Sequence, residues 1–298
     1  MNQILANSLY KQNVKRFQKL KEEAKTLNIL YNGSNIIQDD IYIVLKNYVS
    51  KNDKHLELFR LPIQDDDFCA FTCIREGKLF TVLNSWLPIS KQIFATAHEL
   101  YHVWRYISDQ DDSLSNNGSL LRSENMDDDT ATREDKEANA FAGLLLVPDL
   151  QLLEQIEIYG IDKSKLDLDS VVKLMDIFAV PYKAIVLRLF EENIISEKNA
   201  IQLLKEGTIE RIEFSMQSQN VGERWKKRTF DEIDLGVVEN RLKQNKEADR
   251  LSDSRIVEDE RTLKDIREWF SRKWVRQWVR IDACDWTLIS FQNFTPQR

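Results

Sequence analysis

The pentapeptide His98-Glu99-Leu100-Tyr101-His102 carries the densest chemistry in this 298-residue chain. Positions i and i+4 share one face of an α-helix, so both imidazoles can reach a single ion. The glutamate between them projects beside that ion toward an open coordination position, the arrangement of a metal-dependent hydrolase with Glu99 as general base. The chain has three histidines, and two of them stand here. The plainer alternative is a helix bearing two solvated histidines. A hydrolytic zinc takes three protein ligands and keeps one position for water, so a third ligand must come from elsewhere. His55, the remaining histidine, sits among Lys51, Asp53 and Lys54, a neighbourhood that reads as solvated. Carboxylates are the better source. Glu134, Asp135 and Glu137 lie at the edge of an apolar stripe, where an acid held near the core must be paired or metal-bound. Acids also favour helix N-termini for electrostatic reasons alone, and spacing does not choose among the three.

The elements that position these residues follow from periodicity. Pro88 and Ser90 open a helix that runs through Gln92, Phe94, Ala95, Leu100 and Val103 and carries the histidine pair. Upstream, residues 8–28 and 36–51 have helical spacing, with Asn32-Gly33 as the break. Three segments rich in strand formers follow, Leu56 to Leu61, Phe68 to Ile74 and Leu79 to Leu83. Glu76-Gly77 reads as a hairpin turn between the last two, so a small antiparallel sheet is expected. Alternation assigns Cys69, Phe71 and Cys73 to one strand face, as core residues.

Residues 108–133, SDQDDSLSNNGSLLRSENMDDDTATR, are too polar and acidic to bury much apolar surface and predict a mobile surface loop, either a lid over the cleft or a tolerated insertion. Periodicity returns in EDKEANAFAGLLLVP, where Ala138, Phe141, Ala142 and Leu145 form a stripe and Pro148 stops the helix. Two further helices join at Ala179-Val180-Pro181. A helix-turn-helix reader of DNA needs a basic second helix, whereas Tyr182 to Glu192 offers only Lys183 and Arg188, so the pair reads as packing.

Beyond Gly207 the chain turns charged and tryptophan-rich, with five of its seven tryptophans after residue 220. Trp274 and Trp278 stand at i, i+4 among Arg272, Lys273, Arg276 and Arg280, a stripe that reads as core in preference to a nucleic-acid or partner surface. Asp265, Glu268, Asp282 and Asp285 dilute its charge.

A formal net charge of -7 opposes general affinity for nucleic acid, although a local basic patch stays open. There is no apolar run near 18 residues and the N-terminus lacks the apolar core of an export signal, so a cytoplasmic protein without a membrane partner is expected. Three cysteines, Cys69, Cys73 and Cys284, fit reduced thiols there.

The pairing of FATAHELYH with EANAFAGLLLVP, a few tens of residues apart, resembles the ImmA/IrrE family of metallo-endopeptidases, and the preceding LNSWLPISKQIF is similar to that family's lead-in. The resemblance runs over roughly residues 36 to 205. It implies an α+β fold, with a zincin-like metallopeptidase domain with N-terminal helices expected over residues 1–160 and a helical, helix-turn-helix-like module over 161–207; residues 208–298 fall outside the resemblance and read as a Trp-rich, mostly helical extension of unknown role. The resemblance also implies His98 and His102 as zinc ligands and Glu99 as general base. The family's third ligand, an acid four residues before the asparagine, falls on Asp135. This is a departure, because the family has glutamate there. Aspartate is one methylene shorter, so either the helix approaches more closely or Glu134 or Glu137 ligates instead. Asn139, one turn after Asp135, suits a hydrogen bond that orients an imidazole. Manganese or iron suits the same ligands as zinc.

Two functions from different classes follow. The first is a zinc endopeptidase whose substrate, by the resemblance, is a DNA-binding helix-turn-helix repressor. The second is a catalytically weak or inactive relative that acts as a regulator, binding a partner protein or DNA through the C-terminal region. A small-molecule hydrolase fits the motif but not the rest of the resemblance.

Overall fold

The computed structural model describes residues 3–108, 113–116, 118–123, 132–229 and 233–271. Two short helical turns lead into helix α1 (Val14–Asn32), where Asn13 caps the first turn by accepting from the Arg16 amide and Gly33 closes the last turn at φ +62°. Helix α2 (Ile41–Lys51) follows, then strands β1 (Leu56–Leu61), β2 (Phe68–Arg75) and β3 (Lys78–Asn84). Glu76 and Gly77 both have positive φ, the signature of the tight hairpin turn expected between β2 and β3.

The sheet has the order β1-β3-β2-β4, with β4 formed by Ser119–Arg122. It is antiparallel at β2–β3 and β2–β4, and β1 runs parallel to β3, so the expected antiparallel sheet contains one parallel pair. Strand β4 lies inside the segment expected to be a surface loop. Four residues between polar runs are too short to show a period of two, and β2 supplies the pairing that makes them a strand. A register shift between Phe68 and Ala70 also corrects the expectation for the cysteines. The bulge turns Cys69 toward the same core as Ala70, while Phe71 and Cys73 face the other side.

Helix α3 (Ile89–Ser108) lies between the sheet and a helical layer, so every residue from Gln92 to Val103 is buried. Helix α4 (Arg133–Leu146) packs against both α3 and α1. Helices α5 (Asp149–Ile158), α6 (Leu168–Phe178), α7 (Tyr182–Glu191), α8 (Glu197–Glu206) and α9 (Ile209–Gln219) continue the layer. Ala179, at φ +53°, makes the turn between α6 and α7. Arg188 of α7 is 1% exposed, with Nε donating to the Val147 carbonyl at 3.0 Å and the guanidinium paired to Glu191 and Glu192 at 2.8 Å each. One of the two basic residues of the second helix is thus consumed in joining α7 to the end of α4, as a packing pair would have it.

One hydrophobic cluster runs from Leu5 to Trp225 on the α3 face of the sheet. A second covers the opposite face, where Phe59, Leu61, Phe68, Phe71 and Val82 meet Leu235 and Leu263. The latter two belong to the chain around helices α10 (Val238–Glu247) and α11 (Asp253–Ser271), so this part of the C-terminal extension folds back over the sheet. The stripe of Trp274 and Trp278 and the third cysteine, Cys284, lie outside the described residues. Among the described residues no helix is long and apolar enough to cross a membrane.

Candidate metal centre

The i, i+4 spacing on α3 brings Nε2 of His98 to 3.2 Å from Nε2 of His102. The remaining ring nitrogens are held from behind: Nδ1 of His98 lies 2.9 Å from Oδ1 of Asn139, and Nδ1 of His102 lies 3.2 Å from Oε1 of Glu134. Both partners are oxygens that accept, so each Nδ1 carries a proton, and in the neutral ring that ligates a metal Nε2 then keeps the lone pair. The two Nε2 lone pairs then converge on one point, a repulsive arrangement that a cation between them relieves. Tetrahedral zinc with Zn–N near 2.0–2.1 Å would set its two nitrogens about 3.3 Å apart, close to the separation found. A carboxylate oxygen of Asp135 completes a group whose ligating atoms all lie within 4.8 Å of one another. The residues therefore fit a divalent metal ion.

The three candidate acids on α4 are placed differently. Asp135, half-buried, turns toward the histidines, but its Oδ2 also accepts from the Thr132 amide at 3.0 Å and hydroxyl at 2.8 Å. With the Asp135 amide donating back to Thr132 Oγ1, this is a reciprocal capping box. Glu134 stands behind His102. Glu137 is directed away from the histidines, to Arg16 at 2.6 Å, the Tyr101 hydroxyl at 2.8 Å and Arg133 at 3.2 Å.

Glu99 is fully buried. Its Oε1 accepts from the Ser119 hydroxyl at 3.3 Å, and among the described residues its Oε2 has no hydrogen-bond partner. Burial pushes the carboxyl up to about 7, against the pull of a charged His102 and of the Thr72 and Ser119 hydroxyls. Thr72 stands opposite Ser119 on one side and Thr81 on the other, so a row of hydroxyls crosses three strands beneath the helix. Burial, together with His102, drives His98 well below the ordinary imidazole value. For His102 burial acts in the same direction, but the Glu134 hydrogen bond and the charges of Glu99, Glu134 and Asp135 outweigh it and the value rises.

Tyr101 is fully buried, its ring tilted against those of Trp104 and Phe141, so it packs behind the histidines. His55 is not part of this group and bonds Glu57 at 2.6 Å. Three residues at the site went unread in the sequence. Ser119 sat in a segment with no strand periodicity. Thr72 looked like any buried strand residue. Thr132 was legible in principle, since a threonine three residues before an acid at a helix start is a capping signal.

Comparison with known proteins adds the following. Residues 52–190 match the peptidase M78 family, described as an IrrE N-terminal-like domain. Among solved structures, a Mycobacterium tuberculosis transcriptional regulator is similar at 18% identity and a TM-score of 0.39, over 63% of this chain and 51% of that one. The chain thus spans about half the length of that regulator. No curated protein matches.

Proposed function

Because residues 52–190 match the IrrE N-terminal-like domain of the peptidase M78 family, a peptidase-type domain at the family level, we propose that this chain is a zinc-dependent endopeptidase with His98, His102 and Asp135 as ligands. The observation that carries the reading is the convergence of two Nε2 atoms and an Asp135 oxygen beside a buried glutamate. A bound zinc supplies a Lewis acid for the scissile carbonyl and a lowered pKa for the attacking water. Glu99 accepts the proton of that water and delivers it to the leaving amine, a role that requires it to stay off the metal. Ser119 fixes the rotamer of Glu99, leaving Oε2 free to receive the proton. Asn139 and Glu134 hold the imidazoles in the tautomer that presents Nε2.

The substrate that follows from the family resemblance is a DNA-binding helix-turn-helix repressor. Incubating the zinc-loaded chain with helix-turn-helix repressors from the same genome, starting with any encoded beside its gene, and reading by intact mass tests reaction and substrate together. A defined fragment that is absent with Glu99→Gln supports the reading. A second reading, a weak or inactive relative that regulates by binding a partner protein or DNA, is favoured by one observation: the carboxylate of Asp135 is already engaged by Thr132. No fragment, together with an undiminished biological effect of Glu99→Gln, selects it.

A further inference from the structure

Behind the histidine pair stands a buried ionic cluster that the proposed chemistry does not use. Arg16 of α1 donates from Nε to Oε2 of Glu137 at 2.6 Å and from Nη2 to the Tyr101 hydroxyl at 3.4 Å. That hydroxyl donates to the same Oε2 at 2.8 Å and accepts from Arg105 at 3.2 Å. Side-chain exposure is 15% for Arg16 and 5% for Glu137, so the pair is largely shielded from water. Three helices meet in it: α1 through Arg16, α3 through Tyr101 and α4 through Glu137. It also touches the site at both ends. The Tyr101 ring packs edge-on to the His102 ring with centroids 5.4 Å apart, and Glu137 lies two residues beyond Asp135.

We infer that Arg16 is a positioning residue for the metal centre, drawing α4 onto α3 through Glu137 and Tyr101 so that the short side chain of Asp135 reaches the ion. This rests on the zinc-site reading above. The physical need is plain: an aspartate ligand reaches about one C–C bond less far than a glutamate, so its helix must sit closer to the histidines. A charge-assisted bond at 2.6 Å and a phenol bond at 2.8 Å to one carboxylate oxygen supply an attachment of that stiffness. Arg16 lies outside residues 52–190, so the brace comes from the N-terminal helix and not from the matched domain.

The test measures zinc(II) affinity of the full chain by chelator competition. Arg16→Gln is expected to weaken binding by about tenfold or more, in the range seen when groups supporting ligands are lost. Arg16→Lys, which keeps the charge but cannot span both Glu137 and Tyr101, falls between. Lys21→Gln removes a different α1 ion pair, to Glu192 at 2.8 Å, and serves as the control for general loosening of the helix; it leaves affinity unchanged. The decisive variant is Asp135→Glu, whose longer reach makes the brace dispensable, so adding Arg16→Gln there costs much less affinity than in the parent. Wild-type affinity in Arg16→Gln, an equal loss in Lys21→Gln, or an undiminished loss in the Asp135→Glu background overturns the inference alone. Failure of the parent chain to take up zinc overturns the metal-site reading and the inference with it.

Discussion

At the residue scale, the character of the site comes from what holds each imidazole. An imidazole whose Nδ1 is tied to an oxygen presents a fixed Nε2, and here two are fixed 3.2 Å apart. The acids of α4 then divide by role, which makes their substitutions distinguishable. Asp135→Asn is expected to abolish stoichiometric zinc binding. Glu134→Gln, which weakens only the support of His102, should lower affinity by about 10–100-fold; calorimetric titration of both variants checks this, and equal losses would contradict the division. Glu137 gives a pH prediction. Burial alone would raise its carboxyl, but the hydrogen bonds from Arg16 and Tyr101 win and hold it below its ordinary value of 4.5. A carboxyl depressed in the folded state stabilises the fold fully above that ordinary value and loses this contribution as pH falls through the folded one. The urea midpoint of the parent should therefore drop more steeply below about pH 4.5 than that of Glu137→Gln.

At the element scale, two small features set how the helices and strands meet. Gly118 precedes β4 at φ +67°, and a Cβ there would stand 2.9 Å from the Phe71 ring and 3.0 Å from the Thr72 carbonyl. Gly118→Ala should cost about 1–3 kcal/mol through backbone strain and displace β4, which takes Ser119 away from Glu99. A reduced urea midpoint together with a proportionally larger fall in peptidase turnover is the expected pair of results. Arg188 is the other feature, a fully buried cation between α7 and the end of α4. Arg188→Met leaves Glu191 buried and uncompensated and should cost about 3–5 kcal/mol in urea unfolding. Replacing Glu191 by leucine as well should recover much of it, because the burial cost of the charge goes with the charge.

At the scale of the whole molecule, the candidate metal centre joins parts far apart in the chain. Helix α3 lies on the sheet, α4 and α1 close over it, Arg228 pairs with Pro88 ahead of α3, and Leu235 packs on the far face of the sheet. Thr229 ties this segment to α3, its hydroxyl lying 3.1 Å from Nε2 of Gln92. A ligand bound only by the folded state stabilises it by mass action, so chelation should lower the midpoint of thermal unfolding. Zinc restored at about 100 times its dissociation constant should return about 2.7 kcal/mol. An unchanged melting curve on chelation would show that the ion does not bind the folded chain.

Local pattern alone determined a good deal. The 3.6-residue period placed α3 and α4, the alternation and the Glu76-Gly77 turn placed β2 and β3, and the i, i+4 spacing of His98 and His102 predicted a shared ligating face, because each of these depends on residues within a turn or two of one another. Tertiary structure decided the rest. Strand β4 exists because β2 lies beside it, Cys69 faces the helical core because of a bulge in pairing, and β1 joins β3 in parallel through contacts across the sheet. The separation of Asp135, Glu134 and Glu137 into three directions likewise waited on the approach of α3 and of Arg16, 121 residues from Glu137 in sequence. Spacing along one helix could not resolve it, since the partners that draw each carboxylate aside stand on other elements.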